Sequence, residues 1–154
     1  MAWPIQPSSK AGGQGIPTVV GYGVATGETF YKGAPVTLAS GLLEEVDTND
    51  VTGLVGVALM GATVAATPDW GDEVPVALID NSTTFNAQVS INGTTVATDL
   101  SSVEVGAQYG IVKIGNYWYI DYSDTGNVVA EILTVDDENN MVTFKFLVST
   151  FADV

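Results

Sequence analysis

From Thr18 onward the apolar residues of this chain fall into short runs, each closed by a glycine or an acidic turn. Residues 19–24, 29–32, 35–39, 54–60 and 73–79 are such runs. Gly27-Glu28, Gly33, Ser40-Gly41 and the acidic stretches 47–50 and 69–72 divide them. Short runs with this punctuation predict strands joined by turns, as in a small antiparallel β-barrel or a β-sandwich.

Three segments carry more detail. In Phe85-Asn86-Ala87-Gln88-Val89-Ser90-Ile91 apolar and polar residues alternate, the pattern of a half-buried strand. Asn92-Gly93 then suits a hairpin turn, since both residues tolerate positive φ. Gly115-Asn116 predicts a second hairpin that pairs Ile114 with Tyr117, Lys113 with Trp118 and Val112 with Tyr119. Lys113 would there lie beside the Trp118 ring, within reach of a cation–π contact. The third hairpin sets 128–135 against 141–148 across the loop Asp136-Asp137-Glu138-Asn139-Asn140. Pairing Val135 with Met141 places Ile132 opposite Phe144, Ala130 opposite Phe146 and Val128 opposite Val148 on one apolar face. Glu131 faces Lys145 on the other. A slip of one residue would spoil both faces at once.

No helix is expected beyond a single turn within 97–107, where Ser101 and Ser102 precede Glu104 and Gly106 ends it. No fixed-period repeat stands out. Residues 1–17 read as an extended N-terminal arm, because Pro4, Pro7, Pro17, Gly12, Gly13 and Gly15 interrupt any periodic pattern. Residues 18–154 read as a single β domain. Trp3 and Ile5 are the arm's apolar anchors, and Pro4, Pro7 and Lys10 complete its candidate partner contacts. Trp70, in a turn-rich stretch, is a further candidate contact.

Charge narrows the function. Eighteen acidic residues stand against four lysines (Lys10, Lys32, Lys113, Lys145) and no arginine, for a net charge of −14. Nucleic acid and anionic membrane surfaces are therefore not expected partners, since both are held through clustered Lys and Arg. The chain has no cysteine and no histidine. Disulfides, thiolate chemistry and the commonest general base are thereby excluded. The first ten residues lack the apolar core of a signal peptide, so synthesis in a cytoplasm is the expectation.

Candidate chemistry is thin. Ser8-Ser9-Lys10 is a serine–lysine pair without a rigid frame, and a nucleophile needs its base held in place. Glu44, Glu45, Asp69, Asp72, Glu73, Asp80 and Asp121 are the carboxylates from which a glycosidase pair could be drawn. The acidic loops at 47–50 and 136–140 are candidate calcium ligands, but they lack the spacing of an EF-hand. Gly12-Gly13-Gln14-Gly15 follows no strand and opens no helix, so it is no phosphate loop. The expectation is a protein with no catalytic residue, no metal and no cofactor.

The ordered series of segments resembles the small decoration, or cement, proteins of tailed-phage capsids. The resemblance runs through Phe30-Tyr31-Lys32-Gly33-Ala34-Pro35-Val36-Thr37-Leu38, Gly41-Leu42-Leu43-Glu44-Glu45, Val55-Gly56-Val57-Ala58-Leu59 and Asp72-Glu73-Val74-Pro75-Val76. It continues through Ala97-Thr98-Asp99, Val105-Gly106-Ala107-Gln108-Tyr109-Gly110, Tyr117-Trp118-Tyr119-Ile120-Asp121 and Val142-Thr143-Phe144-Lys145-Phe146-Leu147. The Asn/Thr-rich stretch 80–95 departs from it. The resemblance implies a structural virion protein, made in the bacterial host cytoplasm, that sits on the capsid outer surface. It also implies the phage major capsid protein as partner and a homo-oligomer, with a trimer favoured. A head-fibre or tail-associated structural protein and a carbohydrate-binding β module are the alternatives. The latter would need Trp70, Trp118 and nearby tyrosines on one flat platform.

Overall fold

The computed structural model describes residues 4–10, 17–47, 51–63, 73–80 and 82–152, with residues 9 and 10 described by backbone alone. The fold is all-β. Strands β1 (Gln6–Lys10), β2 (Val19–Tyr22), β3 (Thr29–Phe30), β4 (Pro35–Ala39), β5 (Leu42–Glu45), β6 (Leu54–Ala58), β7 (Ala62–Thr63) and β8 (Val74–Leu78) come first. They are followed by β9 (Thr83–Ala87), β10 (Val89–Ser90), β11 (Gln108–Ile114), β12 (Tyr117–Asp121), β13 (Ala130–Asp136) and β14 (Met141–Phe146). Among the described residues the one helical element is a 3-10 turn at Val148–Thr150.

The strands form two rolled sheets and a small β3–β7 ribbon. The first sheet has the order β2-β8-β6-β4-β5. Just past β2 the chain returns to the far end of its own sheet. Leu43 N–H donates to the Gly23 carbonyl at 2.8 Å and Ala25 N–H to the Leu43 carbonyl at 2.9 Å, giving a parallel bridge between Val24 and Leu43. The second sheet runs β1-β9-β14-β13-β11-β12-β10. Its β9 and β10 are one segment interrupted at Gln88, so again a single segment meets both ends of a roll. β10 lies parallel to β12. Neither roll is a continuous closed barrel; the two pack in a sandwich-like arrangement around one apolar cluster.

The two halves share one topology and one register. Val24 opposite Leu43 corresponds to Val89 opposite Ile120. Val20–Val76, Ala58–Val76 and Val36–Gly56 correspond to Phe85–Phe144, Ile132–Phe144 and Tyr109–Ala130. The backbone bonds repeat as well. Gly33 N–H donates to Ala58 and Ala58 N–H to Ala34; Gly106 N–H donates to Ile132 and Ile132 N–H to Ala107. Gly33 and Gly106 both hold positive φ, at 91° and 87°. The repeat is one of structure and not of fixed period in sequence. The offset between equivalent residues drifts from 65 (Val24 to Val89) to 77 (Leu43 to Ile120), because the connecting loops differ in length. A fixed period never forms.

The halves are packed differently. The second is filled by large side chains, with Phe85, Phe144 and Phe146 in mutual contact at ring-centroid distances of 5.1 to 6.0 Å. Such pairs add to the apolar burial itself. The first half has Val20, Val76 and Ala58 at the positions of Phe85, Phe144 and Ile132, and is correspondingly less full.

The chain termini cross between the halves. β1, at the start of the chain, pairs antiparallel with β9 of the second half. At the other end Phe151 bridges Leu54 of the first half, and Ala152 N–H donates to the Leu54 carbonyl at 2.8 Å. The N-terminal arm is thus partly a strand, with Ser8 Oγ 2.6 Å from Thr84 Oγ1. Ile5, expected as a partner contact, is 0% exposed and belongs to the chain's own core.

Two of the three predicted hairpins appear; at Asn92-Gly93 only Gly93 takes positive φ, and the chain makes a wider loop, with Asn92 Oδ1 accepting the Thr94 and Thr95 N–H groups and a lone bridge between Ser90 and Val96. The Gly115-Asn116 hairpin has the expected register. The third hairpin has Ala130, Glu131 and Ile132 opposite Phe146, Lys145 and Phe144, as the two-face pattern requires. Its tip is tighter than expected: Asp136 pairs with Met141, and a register shift between Ile132 and Thr134 absorbs the difference. Val148, expected on the apolar face, instead enters the 3-10 turn and is exposed. Residues 97–107 form turns, not a helical turn, because Asp99 Oδ1 accepts Ser101 N–H at 2.8 Å and Leu100 N–H is taken by Asp137 Oδ1 at 2.9 Å.

Candidate functional site

An open apolar groove of about 440 Å³ lies at the mouth of the first roll. Tyr22 of β2, Leu38 of β4, Leu54 of β6 and Leu78 of β8 line it, with Ile79 and the returning Phe151. Its location follows from the repeat. The residues equivalent to Tyr22, Leu38 and Leu78 are Ala87, Ile111 and Phe146, all buried. In the second half Ile111 and Phe146 fill this end of the roll. In the first half Leu38 stays 38% exposed, and Phe151 covers only part of the opening. The alternation of β4 could have hinted at this, since Val36 and Leu38 are apolar on one face while only Val36 is fully covered.

Polar side chains that could have carried chemistry are engaged in structure. Glu45, on β5 of the first half, accepts Lys113 Nζ on Oε1 at 2.6 Å and Trp118 Nε1 on Oε2 at 2.9 Å, both from the second half. Lys113 and Trp118 pair across strands as expected, and Glu45 bridges them. Tyr31 and Tyr117 meet beside it, ring centroids 6.0 Å apart. This junction ties the β11–β12 hairpin to the first half.

The aspartates cap turns. Asp80 Oδ1, at the joint between the halves, accepts the backbone N–H and hydroxyl of both Ser82 and Thr83. Burial alone would raise its pKa, but these hydrogen bonds hold the carboxyl at about 2. Asp121 Oδ1 accepts Ser123 N–H and Oγ–H, and Asp124 Oδ1 accepts the Gly126 and Asn127 N–H groups. The side chain and backbone of Asn139 lower the pKa of Asp136, and the backbone N–H of Ser101 lowers that of Asp99. Burial raises the phenols of Tyr109 and Tyr119.

Among the described residues the candidate glycosidase carboxylates serve structure and are not brought together as a pair. Glu45 serves the junction, Asp80 and Asp121 serve turns, and Glu73 lies against Gly21. Asp69 and Asp72 lie outside the described residues, as do most of the 47–50 loop and the Gly12-Gly13-Gln14-Gly15 stretch. Among the described residues no group of three or more acidic side chains is arranged to hold a metal ion. In the 136–140 loop Asp136 accepts from Asn139 and Asp137 Oδ1 accepts Leu100 N–H, while the buried Asn140 Oδ1 has no hydrogen-bond partner among the described residues.

The expected contact residues scatter. Trp3 and Trp70 lie outside the described residues, and of Lys10 only the backbone is placed. Pro4 is half-buried, and its Cβ, with the backbone of Ile5, packs so closely on Gly33 that a methyl there would meet both at 2.7 Å. Pro7 is half-buried opposite Phe85. The groove residues Tyr22, Leu38, Leu54, Leu78 and Phe151 were not singled out from sequence, since five distant segments assemble it. Comparison with family models, curated proteins and solved structures finds no match.

Proposed function

We propose that this chain is a structural protein of a phage virion that binds the outer face of the assembled capsid and bridges neighbouring capsomers. The observation that carries the reading is the groove: an open apolar surface on Leu38, Tyr22 and Phe151, set on a chain of net charge −14. Exposed apolar surface on an otherwise solvated molecule marks protein contact. The ordered segments that resemble the decoration family support the same reading. All but Ala97-Thr98-Asp99 reach strands, namely β3, β4, β5, β6, β8, β11, β12 and β14.

The protein acts as a homo-oligomer, with a trimer favoured and the major capsid protein as partner. Three copies carry −42, three times −14, so their contacts must bury enough apolar surface to outweigh that repulsion. Weak contacts repeated around the symmetric assembly then add through effective concentration. A carbohydrate platform is less well supported. Trp118, which it needs, is 2% exposed and its ring N–H is held by Glu45.

The test is co-sedimentation with purified capsids stripped of this protein. The wild-type chain should pellet with them, Leu38→Glu should remain in solution, and Val105→Glu, at an exposed site on the other half, should pellet like wild type. A wild-type chain that stays in the supernatant overturns the proposal.

A further inference from the structure

The repeat has an edge that one half covers and that the other, among the described residues, leaves without a strand. In the second half the chain 83–90 uses one side of its backbone twice. Gln88 and Ser90 bond to β12, as the Ile120 N–H to Gln88 carbonyl bond of 3.1 Å and the Tyr122 N–H to Ser90 carbonyl bond of 2.9 Å show. Thr84 and Asn86 point the same way, two residues apart each time, and face β1 through the pairs Ser9–Thr84 and Gln6–Asn86. The first half repeats the first of these uses, with Gly23 bonded to Leu43 of β5. The residues equivalent to Thr84 and Asn86 are Val19 and Gly21. The Leu78 N–H to Thr18 carbonyl bond turns Thr18, Val20 and Tyr22 toward β8, so the backbone groups of Val19 and Gly21 point outward. Among the described residues no strand pairs with that side, and β2 ends its sheet.

Among the described residues the edge is guarded by charge alone. Natural sheets blunt free edges with proline, lysine or bulges. β1 does so: Pro7 sits where a backbone N–H would face outward, and the register shifts between Pro7 and Ser9. β2 has no proline, no lysine and no bulge, Val19 is 50% exposed, and Gly21 presents bare backbone. The Glu73 carboxylate lies against Gly21 and makes this edge negative.

We infer that the outer edge of β2 is a docking site for an extended, basic segment of a partner protein, added as an antiparallel strand beside Val19 and Gly21. The molecule shows what the equivalent edge accepts. β1 is Gln6-Pro7-Ser8-Ser9-Lys10, polar, free of acidic residues and carrying a lysine. Main-chain bonds give such strand addition its affinity, and flanking charge selects the partner. A second copy's β2 fits less well, because it would bring a second Glu73 and another −14 to the same edge. The inference stands independently of capsid binding.

The probe is a capped peptide with the sequence of residues 4–10, titrated to millimolar concentration into the full chain labelled with nitrogen-15. Amide shifts should be largest at Val19 and Gly21 and absent at Thr84 and Asn86. Val19→Pro removes an outward N–H without touching the β2–β8 bonds and should abolish the shifts while leaving the melting temperature near wild type. Glu73→Lys, which leaves the backbone intact, should weaken binding several-fold, and so should replacing the peptide's lysine by glutamate. No shift at Val19 and Gly21 overturns the inference. So do shifts at Thr84 and Asn86, or shifts insensitive to both variants. Concentration-dependent shifts at Val19 without peptide overturn it in favour of a second copy.

Discussion

Replacing Glu45 by alanine tests how the two halves are joined. The carboxylate is 14% exposed and takes one donor from Lys113 and one from Trp118. Alanine leaves the Trp118 N–H, on a side chain 2% exposed, with no acceptor. An unsatisfied buried donor costs about 1–3 kcal/mol. Losing the ion pair to a Lys113 that is 29% exposed adds up to about 1 kcal/mol. The expected destabilisation is about 3 kcal/mol, a fall in melting temperature of roughly 6–12 °C for a chain of this size. Lys113→Ala removes only the outer partner and should cost about 1 kcal/mol or less. The assay is thermal melting by calorimetry, with Trp fluorescence reporting Trp118. Glu45→Ala melting within about 1 °C of wild type, or no less stably than Lys113→Ala, would refute the junction.

Other outcomes follow from particular geometries. Gly33→Ala and Gly41→Ala have similar positive φ, 91° and 81°, but an added Cβ meets Ile5 and Pro4 at 2.7 Å in the first and nothing within 4 Å in the second. Gly41→Ala should cost about 1 kcal/mol, and Gly33→Ala clearly more, with faster proteolysis near the N-terminus. Asp80 has its pKa depressed from 3.8 to about 2, so its contribution is present above pH 3.8 and lost as pH falls toward 2. Urea titrations between pH 5 and pH 2 should show that loss in the wild type and a flatter profile in Asp80→Asn. Phe146→Ala empties a contact with both Phe85 and Phe144 and should cost about 3–5 kcal/mol by denaturant melting, more than Leu38→Ala at the open groove.

What the sequence discloses is what is encoded locally. The Gly115-Asn116 hairpin and the Glu131–Lys145 pairing could be read because a two-residue turn or a two-face pattern fixes the register within twenty residues. β5 is not legible because Leu42-Leu43-Glu44-Glu45 does not alternate, and its glutamates look like turn residues until Lys113 and Trp118 pair with Glu45. β1 was hidden among prolines and glycines, since its partner β9 lies far along the chain. The repeat is invisible in the sequence because the core residues at matching positions differ in size, Val76 for Phe144 and Ala58 for Ile132, while the loops shift the offset. The groove is a consequence of that same size difference, and it exists only once β2, β4, β6, β8 and Phe151 have met.

The most direct test of the proposed role is the number of copies of this chain in purified virions, measured by quantitative mass spectrometry against the major capsid protein. A ratio near one, or a simple fraction of it, is the predicted result and describes a layer over the capsid. A handful of copies per particle would assign the chain to a fibre or tail, and its absence from virions would contradict the proposed function outright.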